Sequence, residues 1–286
     1  MTAPPFDRRL TPARPDLAAA FLRGRVEAAR FVEGERVVVT APLADLRPRP
    51  DLSAPIDTQA LYGEAVTLYE ARENFAFVQL ERDSYVGYLP AQALGPAPGA
   101  PTHRVAAPLT FVYPAPDMKR PVLAALPLGA RLSVAGEDGA YQRLAGGGFV
   151  FAAHSAPLDA TAPDFVAVAE TFLHAPYLWG GKSFGGIDCS GLVQAALDAA
   201  AIAAPRDTDL QEKALGEAQP EDAPLERGDL IFWRGHVGIM RSSTTLLHAN
   251  GHHMQVVSED FEAARARIAA SAGLKVSSIR RLRPTC

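Results

Sequence analysis

The sequence predicts an α+β protein in which two small β-barrel units precede a domain of helices followed by an antiparallel sheet. Three observations support this prediction. Short alternating segments repeat between residues 62 and 158, which is typical of small β units. A segment rich in proline and glycine, Gly95–Pro101, divides the two copies. After Ala162 the apolar residues change to helical spacing.

Composition limits the classes of function. The chain has 286 residues, enough for two or three domains, and no run approaches the ~20 apolar residues of a membrane span. A net charge of −4 with mixed signs argues against nucleic acid as a partner, and we expect no membrane partner. The first residues lack the apolar core of a signal peptide, and two cysteines cannot form a disulfide framework. We therefore expect a cytoplasmic protein.

The N-terminal segment, residues 1–55, is predicted to be helical and extended. Its apolar residues between Asp16 and Glu33 have roughly helical spacing, whereas Arg36–Thr40 is a strand candidate.

The internal repeat defines two predicted β-barrel units, at residues 56–97 and 98–160. Residues 62–94 align with residues 128–158 when short gaps are allowed. The matched positions are Gly63 with Gly129, Val66 with Leu132, Phe77 with Tyr141, Leu80 with Leu144, and Tyr85-Val86 with Phe149-Val150.

The last predicted domain covers residues 161–286. The segments "DFVAVAETFLHA" and "CSGLVQAALDAAAI" have helical spacing, and the second can be capped by Asp188 or Ser190. Five strand candidates follow: "DLIFWR", "HVGIMRS", "TLLHAN", "MQVVS" and "VSSIRRL".

Cys189 is a candidate nucleophile because it lies between a glycine-rich loop and the start of a predicted helix. A helix N-terminus and a neighbouring imidazolium both lower the pKa of a thiol, so we expect a lowered pKa for Cys189. The free N–H groups of that helix start can also stabilise an oxyanion. A buried, structural cysteine is the alternative.

His236 is the candidate base because it follows a tight Arg234-Gly235 turn between two strand candidates. His248, twelve residues later, suits the adjacent antiparallel strand and can orient His236 through its second ring nitrogen. Asn250, His252 and His253 lie close enough in sequence to compete with His248 for this role. The set could instead bind zinc, but paired-ligand spacing is lacking, so we predict no metal and no organic cofactor.

Three segments resemble the NlpC-type cysteine peptidases, papain-like enzymes that cut bacterial cell-wall peptides. They are "PYLWGGKSFGGIDCSGLVQ", "GDLIFWRGHVGIM" and "LLHANG", within residues 164–283. The resemblance implies a papain-like domain in which Cys189 is the nucleophile, His236 the base and His248 the orienting residue. The repeat upstream is similar to the two bacterial SH3-like modules of the cytosolic branch that recycles murein peptides.

That branch cleaves the bond between γ-D-glutamate and the diamino acid of peptides with a free N-terminal L-alanine. The resemblance implies a substrate cleft lined by Tyr177, Asp188, Ser190 and Thr208, with Thr208 standing where the branch often has serine. It also implies that Glu64 and Tyr85 contact the substrate amine. The second repeat has Ala130 and Phe149 at the positions matched with them.

Two other functions remain open at this point. The same cysteine core could serve an amidase or acyltransferase, or the chain could bind wall fragments without turnover. Asp188 could only cap a helix, Tyr177 could belong to a core, and Glu64 could be a solvated carboxylate. The sequence does not predict an oligomeric state.

Overall fold

The computed structural model describes residues 6–282, so Cys286 lies outside the described residues. The chain divides between Leu158 and Asp159 into two compact units, two residues before the predicted start of the last domain. The first unit consists mainly of strands and the second combines helices with a sheet, so the predicted α+β class is confirmed. None of the helices in the described part of the chain is long and apolar enough to cross a membrane.

The N-terminal segment is extended rather than helical. Its strands are β1 (Ala13–Arg14), β2 (Leu17–Ala19) and β3 (Phe31–Val32), with a 3-10 turn over Ala20–Leu22. The predicted helix over Asp16–Glu33 is therefore wrong. Phe21 is exposed, so the apolar residues do not form one buried stripe, and Gly24 adopts a φ of +77°, which interrupts a right-handed helix.

The first SH3-like unit follows directly. Its strands are β4 (Glu35–Val39), β5 (Leu43–Leu46), β6 (Thr58–Leu61), β7 (Ala65–Arg72), β8 (Phe75–Leu80), β9 (Val86–Pro90) and β10 (Leu94–Gly95). Within residues 6–282 they form one sheet of order β10-β4-β7-β8-β9 and a β5-β6 pair. Both contribute to one core, which contains Val39, Leu46, Val66, Leu80 and Leu89.

This unit begins earlier than the predicted boundary at residue 56. Strand β4 pairs with β7 and β10, and β5 pairs with β6, so residues from Glu35 onward belong to the same sheets. The strand predicted at Arg36–Thr40 is confirmed, but it is part of the first SH3-like unit. The proline-rich stretch that suggested the boundary is a connection inside that unit.

The second SH3-like unit has a similar set of strands. They are β11 (His103–Val105), β12 (Leu109–Tyr113), β13 (Ala124–Pro127), β14 (Arg131–Leu132), β15 (Val134–Asp138), β16 (Tyr141–Leu144), β17 (Phe149–Phe151) and β18 (Ser155–Pro157). Among the described residues the sheet orders are β14-β11-β18 and β13-β12-β17-β16-β15. Their shared core contains Val105, Val112, Leu132, Leu144 and Val150.

Equivalent hydrogen bonds relate the two units. The Gly63 N–H donates to the Val39 carbonyl over 2.8 Å, and the Gly129 N–H donates to Val105 over 2.9 Å. Both glycines have a positive φ, of +73° and +84°. A 3-10 turn closes each copy, at Ala91–Ala93 and Ala152–His154.

The alignment of one segment needs correction. The Leu80 N–H donates to the Tyr85 carbonyl, whereas the Leu144 N–H donates to the Gly148 carbonyl, both over 2.9 Å. Tyr85 therefore corresponds to Gly148 in this turn and not to Phe149.

The unit after Leu158 carries Cys189, His236 and His248. Its elements are α1 (Phe165–Glu170), β19 (Lys182–Ser183), β20 (Gly186–Ile187), α2 (Cys189–Ala199), α3 (Thr208–Ala214), β21 (Glu217–Gln219), β22 (Leu230–Trp233), β23 (His236–Met240), β24 (Thr245–Asn250), β25 (Gln255–Asp260), α4 (Phe261–Ala272) and β26 (Val276–Arg281). The five predicted strands are confirmed as β22 to β26, with order β21-β26-β22-β23-β24-β25 in the described residues.

Helices cover this sheet. Helix α2 packs against β23 and β24, and it buries Leu192, Val193 and Leu197. Helix α4, which the sequence patterns did not reveal, adds Phe261 and Ala264 to a core with Ile231 and Trp233. The Asp260 carboxylate caps the N-terminus of α4 by accepting from the Ala263 N–H.

We predict that Gly63→Ala destabilises the protein strongly. The left-handed φ of +73° costs a non-glycine residue energy, and a Cβ there would lie 2.2 Å from the Arg131 carbonyl oxygen. Urea unfolding of the full chain should show a loss of at least about 2 kcal/mol. Gly139→Ala is the matched control, because its φ is +58° but nothing lies within 4 Å of the new Cβ. Equal losses for the two variants would contradict the close approach of Gly63 to Arg131.

Candidate active site

Cys189 is the first residue of α2, at the end of the glycine-rich loop. Asp188 precedes it as the N-cap and accepts from the Gly191 N–H over 2.7 Å. A side chain at Gly191 would place its Cβ 2.4 Å from the Gly181 carbonyl oxygen, so only glycine fits there. The predicted helix start at Cys189 is confirmed, and its thiol is buried.

A buried ion pair holds the residues on both sides of Cys189. The Arg206 guanidinium donates to both carboxylate oxygens of Asp188, over 2.9 and 2.8 Å. It also donates to the Ser190 hydroxyl over 2.8 Å, and the Gly180 N–H donates to Asp188. Arg206 is only 1% exposed. Asp188 and Ser190, predicted to line the substrate cleft, are therefore bound to Arg206 in this structure.

Strand β23 brings the candidate base next to the thiol. The β22–β23 hairpin pairs Trp233 with His236 across the predicted Arg234-Gly235 turn. Helix α2, which begins at Cys189, packs against β23, and the backbone N–H of Val237, the residue after His236, is one of the groups that lower the pKa of the Cys189 thiol. His236 therefore stands at the end of β23 that approaches the start of α2.

His248 is the partner of His236, as predicted. Strands β23 and β24 are antiparallel neighbours, and Nε2 of His236 lies 2.8 Å from Nδ1 of His248. Gly238 leaves room for this arrangement, because a Cβ there would lie 3.2 Å from Cβ of His248. Since Nε2 of His236 faces His248, Nδ1 is the remaining ring nitrogen that can accept a proton from a thiol.

The chain of polar contacts continues beyond His248. Nε2 of His248 lies 2.7 Å from Oε1 of Glu259, and Arg267 donates to both oxygens of that carboxylate over 2.5 and 2.6 Å. Nδ2 of Asn250 is 3.0 Å from the same ring nitrogen. The His253 ring lies beside Asn250 and contacts its Oδ1 over 3.1 Å.

Burial is the largest influence on the pKa of both the Cys189 thiol and the His236 imidazole. Burial and the Asp188 carboxylate raise the pKa of Cys189 to about 11, against smaller opposing effects of the Val237 N–H, Thr208 and Arg206. Burial and the neighbouring His248 lower the pKa of His236 to about 3. The expected lowering of the thiol pKa is therefore wrong, because burial and a like charge outweigh the helix start.

Two further predicted cleft residues lie close to the thiol. The Thr208 hydroxyl, at the start of α3, is 3.9 Å from the Cys189 sulfur. The pKa of Tyr177 is raised by burial and also by the charges of Cys189 and Asp188.

Glu64 and Tyr85 lie in the first SH3-like unit, within the compact unit that ends at Leu158. Oε2 of Glu64 accepts from the Leu61 N–H over 2.8 Å, and Oε1 is 3.4 Å from Nε of Arg82. Glu64 lines a cavity of about 860 Å³. Tyr85 is 2% exposed and belongs to the core of the first SH3-like unit. Glu64 thus borders an open space, whereas the Tyr85 ring is a core residue.

Sequence reasoning missed several residues around Cys189 and the histidines. Arg206 follows a proline in a segment without helical or strand pattern, and Glu259 and Arg267 are charged residues of ordinary type. Gln211, which is fully buried, donates to the Ser190 and Pro205 carbonyls and ties α3 to α2. Among residues 6–282 no group of three or more His, Cys, Asp or Glu side chains could hold a metal ion.

Comparisons with known proteins agree with the division of the chain into an SH3-like part and a part that combines helices with a sheet. Residues 174–270 match the NlpC/P60 family, and residues 46–94 match the bacterial dipeptidyl-peptidase SH3 domain. A γ-D-glutamyl-L-lysine dipeptidyl-peptidase from Bacillus subtilis is 29% identical, over 68% of this chain and 72% of its own length. The protein of the same name from Bacillus cereus is 27% identical, over 62% of this chain and 60% of its own length.

The fold has a counterpart among solved structures. The crystal structure of an NlpC/P60 family protein from Bacillus cereus superposes with a TM-score of 0.73 at 21% identity, covering 87% of this chain and 100% of that one. The chain thus contains a bacterial SH3 domain at residues 46–94 and an NlpC/P60 domain at residues 174–270.

Proposed function

We propose that this chain is a cysteine peptidase that hydrolyses the bond between γ-D-glutamate and the diamino acid of murein peptides with a free N-terminal L-alanine. The diamino acid is meso-diaminopimelate or L-lysine. The observation that carries the proposal is the placement of Cys189 at the start of α2, beside the strand whose His236 bonds to His248 over 2.8 Å. The names of the two Bacillus relatives support the bond that is cut. The substrate is a small peptide of cytoplasmic wall recycling.

Attack on the substrate starts from a neutral thiol. As the Cys189 sulfur bonds to the γ-carbonyl carbon, its proton passes to Nδ1 of His236 and the carbonyl electron pair moves to oxygen. His248 orients the resulting imidazolium through Nε2 of His236. Backbone N–H groups at the start of α2 stabilise the oxyanion.

The intermediate then collapses. The C–N bond breaks, and His236 returns the proton to the amine of the departing diamino acid. A thioester joins Cys189 to L-alanyl-γ-D-glutamate. Water attacks this thioester with His236 again as the base, which releases the dipeptide and restores the thiol.

Further residues take part in binding the substrate. Tyr177 and Thr208 line the cleft beside Cys189. Asp188 and Ser190 act mainly by position, because Arg206 binds both side chains. Glu64 supplies a carboxylate for the L-alanine ammonium, and Tyr85, whose ring lies in the core of the same SH3-like unit, is proposed to contact the ammonium as well.

Product analysis tests the proposal directly. The full chain is incubated with L-Ala-γ-D-Glu-L-Lys and with the corresponding diaminopimelate peptide, and the products are identified by mass spectrometry. L-Ala-γ-D-Glu and the free diamino acid are expected. Transfer of the dipeptide to an added amine without hydrolysis would indicate an acyltransferase, and binding without products would indicate a non-catalytic protein.

Cys189→Ser should abolish nearly all turnover while leaving substrate binding intact. An alcohol is a much weaker nucleophile than a thiol in a site built for sulfur, so kcat should fall by at least about 1,000-fold. The measurement is kcat by product release, with binding followed by calorimetry. Cys286→Ser is the matched control and should keep full activity. Wild-type kcat in Cys189→Ser would remove the proposed mechanism.

The raised thiol pKa can be measured without substrate. A thiol with a pKa of about 11 stays protonated at pH 7 and ionises as the pH rises towards that value. The difference in absorbance at 240 nm between wild type and Cys189→Ser reports the thiolate. It should be near zero at pH 7 and grow above pH ~9. A full thiolate signal already at pH 6 would show an ion pair with His236 and contradict the neutral pair.

Glu64→Gln tests whether the SH3-like half reads the substrate amine. The substitution removes the charge, while the remaining carbonyl oxygen can still accept from the Leu61 N–H. Loss of one partner of a buried charge pair costs about 2–5 kcal/mol, so kcat/KM should fall at least about 30-fold on the free-amine peptide. On the N-acetylated peptide, the effect should nearly vanish.

The control for this experiment is Glu81→Gln, which removes an exposed carboxylate that lines the same cavity and pairs with Arg36. It should leave kcat/KM unchanged on both peptides. If acetylation leaves wild-type cleavage intact, the amine is not recognised and the role of Glu64 is wrong.

A further inference from the structure

The Glu259 carboxylate contacts the second of the two candidate active-site histidines, and it has no role in the mechanism proposed above. Glu259 lies near the end of β25, 2.7 Å from Nε2 of His248, and Arg267 on α4 binds both its oxygens. The charged and titratable groups around this carboxylate come from three neighbouring segments: His248 on β24, Arg267 on α4, and His253 in the loop before β25, 4.0 Å away.

Glu259 is ionised in this setting. Burial by itself would raise its pKa, but the hydrogen bonds from His248 and Arg267 hold the pKa well below the ordinary range of a glutamate. An ionised carboxylate is only an acceptor. The His248 nitrogen that faces it must therefore carry a proton.

Asn250 presents a competing partner for the same ring nitrogen. Its Oδ1 accepts from the His253 N–H over 2.9 Å, which fixes the amide and leaves Nδ2 3.0 Å from Nε2 of His248. One nitrogen cannot both donate to Glu259 and accept from Asn250. The Glu259 carboxylate determines that Nε2 of His248 carries a proton. Without that proton, the lone pairs of Nε2 and of the carboxylate oxygen would face each other only 2.7 Å apart and repel each other.

The proton positions then follow along the chain. With a proton on Nε2, neutral His248 has an acceptor lone pair on Nδ1. That lone pair faces Nε2 of His236 over 2.8 Å, so His236 also carries its proton on Nε2. Nδ1 of His236 is left unprotonated.

We infer that Glu259, held by Arg267, is a positioning residue that sets the tautomers of both histidines and so keeps Nδ1 of His236 ready to take the Cys189 proton. The role of Nδ1 as proton acceptor rests on the proposed function, whereas the tautomers do not. When His236 becomes an imidazolium, the Glu259 charge also stabilises it through His248.

Nitrogen NMR of ¹⁵N-labelled histidine in the full chain tests this inference, since protonated and unprotonated ring nitrogens have well-separated shifts. In the wild type at pH 7, both His236 and His248 should carry the proton on Nε2. A proton on Nδ1 of His236 in the wild type would overturn the inference. This measurement needs no substrate, so a failure to cleave the wall peptide would remove only the proposed function.

Glu259→Leu removes the acceptor and leaves Asn250 as the partner of His248. The amide then donates to Nε2, both tautomers invert, and His236 carries its proton on Nδ1. We expect kcat to fall about 100-fold with KM changed less than about 3-fold, as for a base held in the wrong tautomer.

Glu262→Leu is the matched control. It also removes a glutamate paired with an arginine of α4, but this pair, with Arg265, is exposed. It should change neither the tautomers nor kcat. Unchanged tautomers in Glu259→Leu, or an equal loss of kcat in the two variants, would overturn the role of Glu259.

Discussion

The site depends on the carboxylate of Asp188. It caps α2 through the Gly191 N–H, receives the Gly180 N–H, and forms a two-pronged ion pair with the buried Arg206. Removing one partner of such a buried pair costs about 3–5 kcal/mol, since the other charge is left without compensation. The position of Cys189 follows from this arrangement, because the residue after the cap must begin the helix. The same charge has a chemical consequence, because together with burial it raises the pKa of the Cys189 thiol.

Much of the site could be predicted because its signals are local. A helix start is encoded by a cap and a glycine that permits close packing, which are Asp188 and Gly191 here. A two-residue turn and strand alternation place His236 and His248 on adjacent strands. Their twelve-residue separation was therefore sufficient to predict that the two side chains are neighbours. The repeat was also visible, because each copy needs the same left-handed glycine at the same point of the sheet.

Other features depend on contacts between distant segments, which periodicity does not report. Arg206 pairs with Asp188, 18 residues away, and Glu259 pairs with Arg267 across the junction of β25 and α4. A charged residue on a surface and one in a core look alike in a sequence. The helix predicted in the N-terminal segment is wrong. The apolar spacing of that segment suits a helix, but Leu17 instead packs in a cluster with Phe77 of the first SH3-like unit. The predicted thiol pKa is wrong for a similar reason, since burial is a property of the folded chain. The boundary at residue 56 is wrong because β4 pairs across the proline-rich stretch.

The central claim is that Cys189 carries the γ-D-glutamyl acyl group during turnover. The most direct measurement is rapid acid quenching of the full chain with L-Ala-γ-D-Glu-L-Lys, followed by intact mass and peptide mapping. We expect a thioester of L-alanyl-γ-D-glutamate on the peptide containing Cys189, formed before the steady state and lost as free dipeptide appears. Cleavage of the substrate with the acyl group on another residue, or an adduct that forms but never releases the dipeptide, would contradict it.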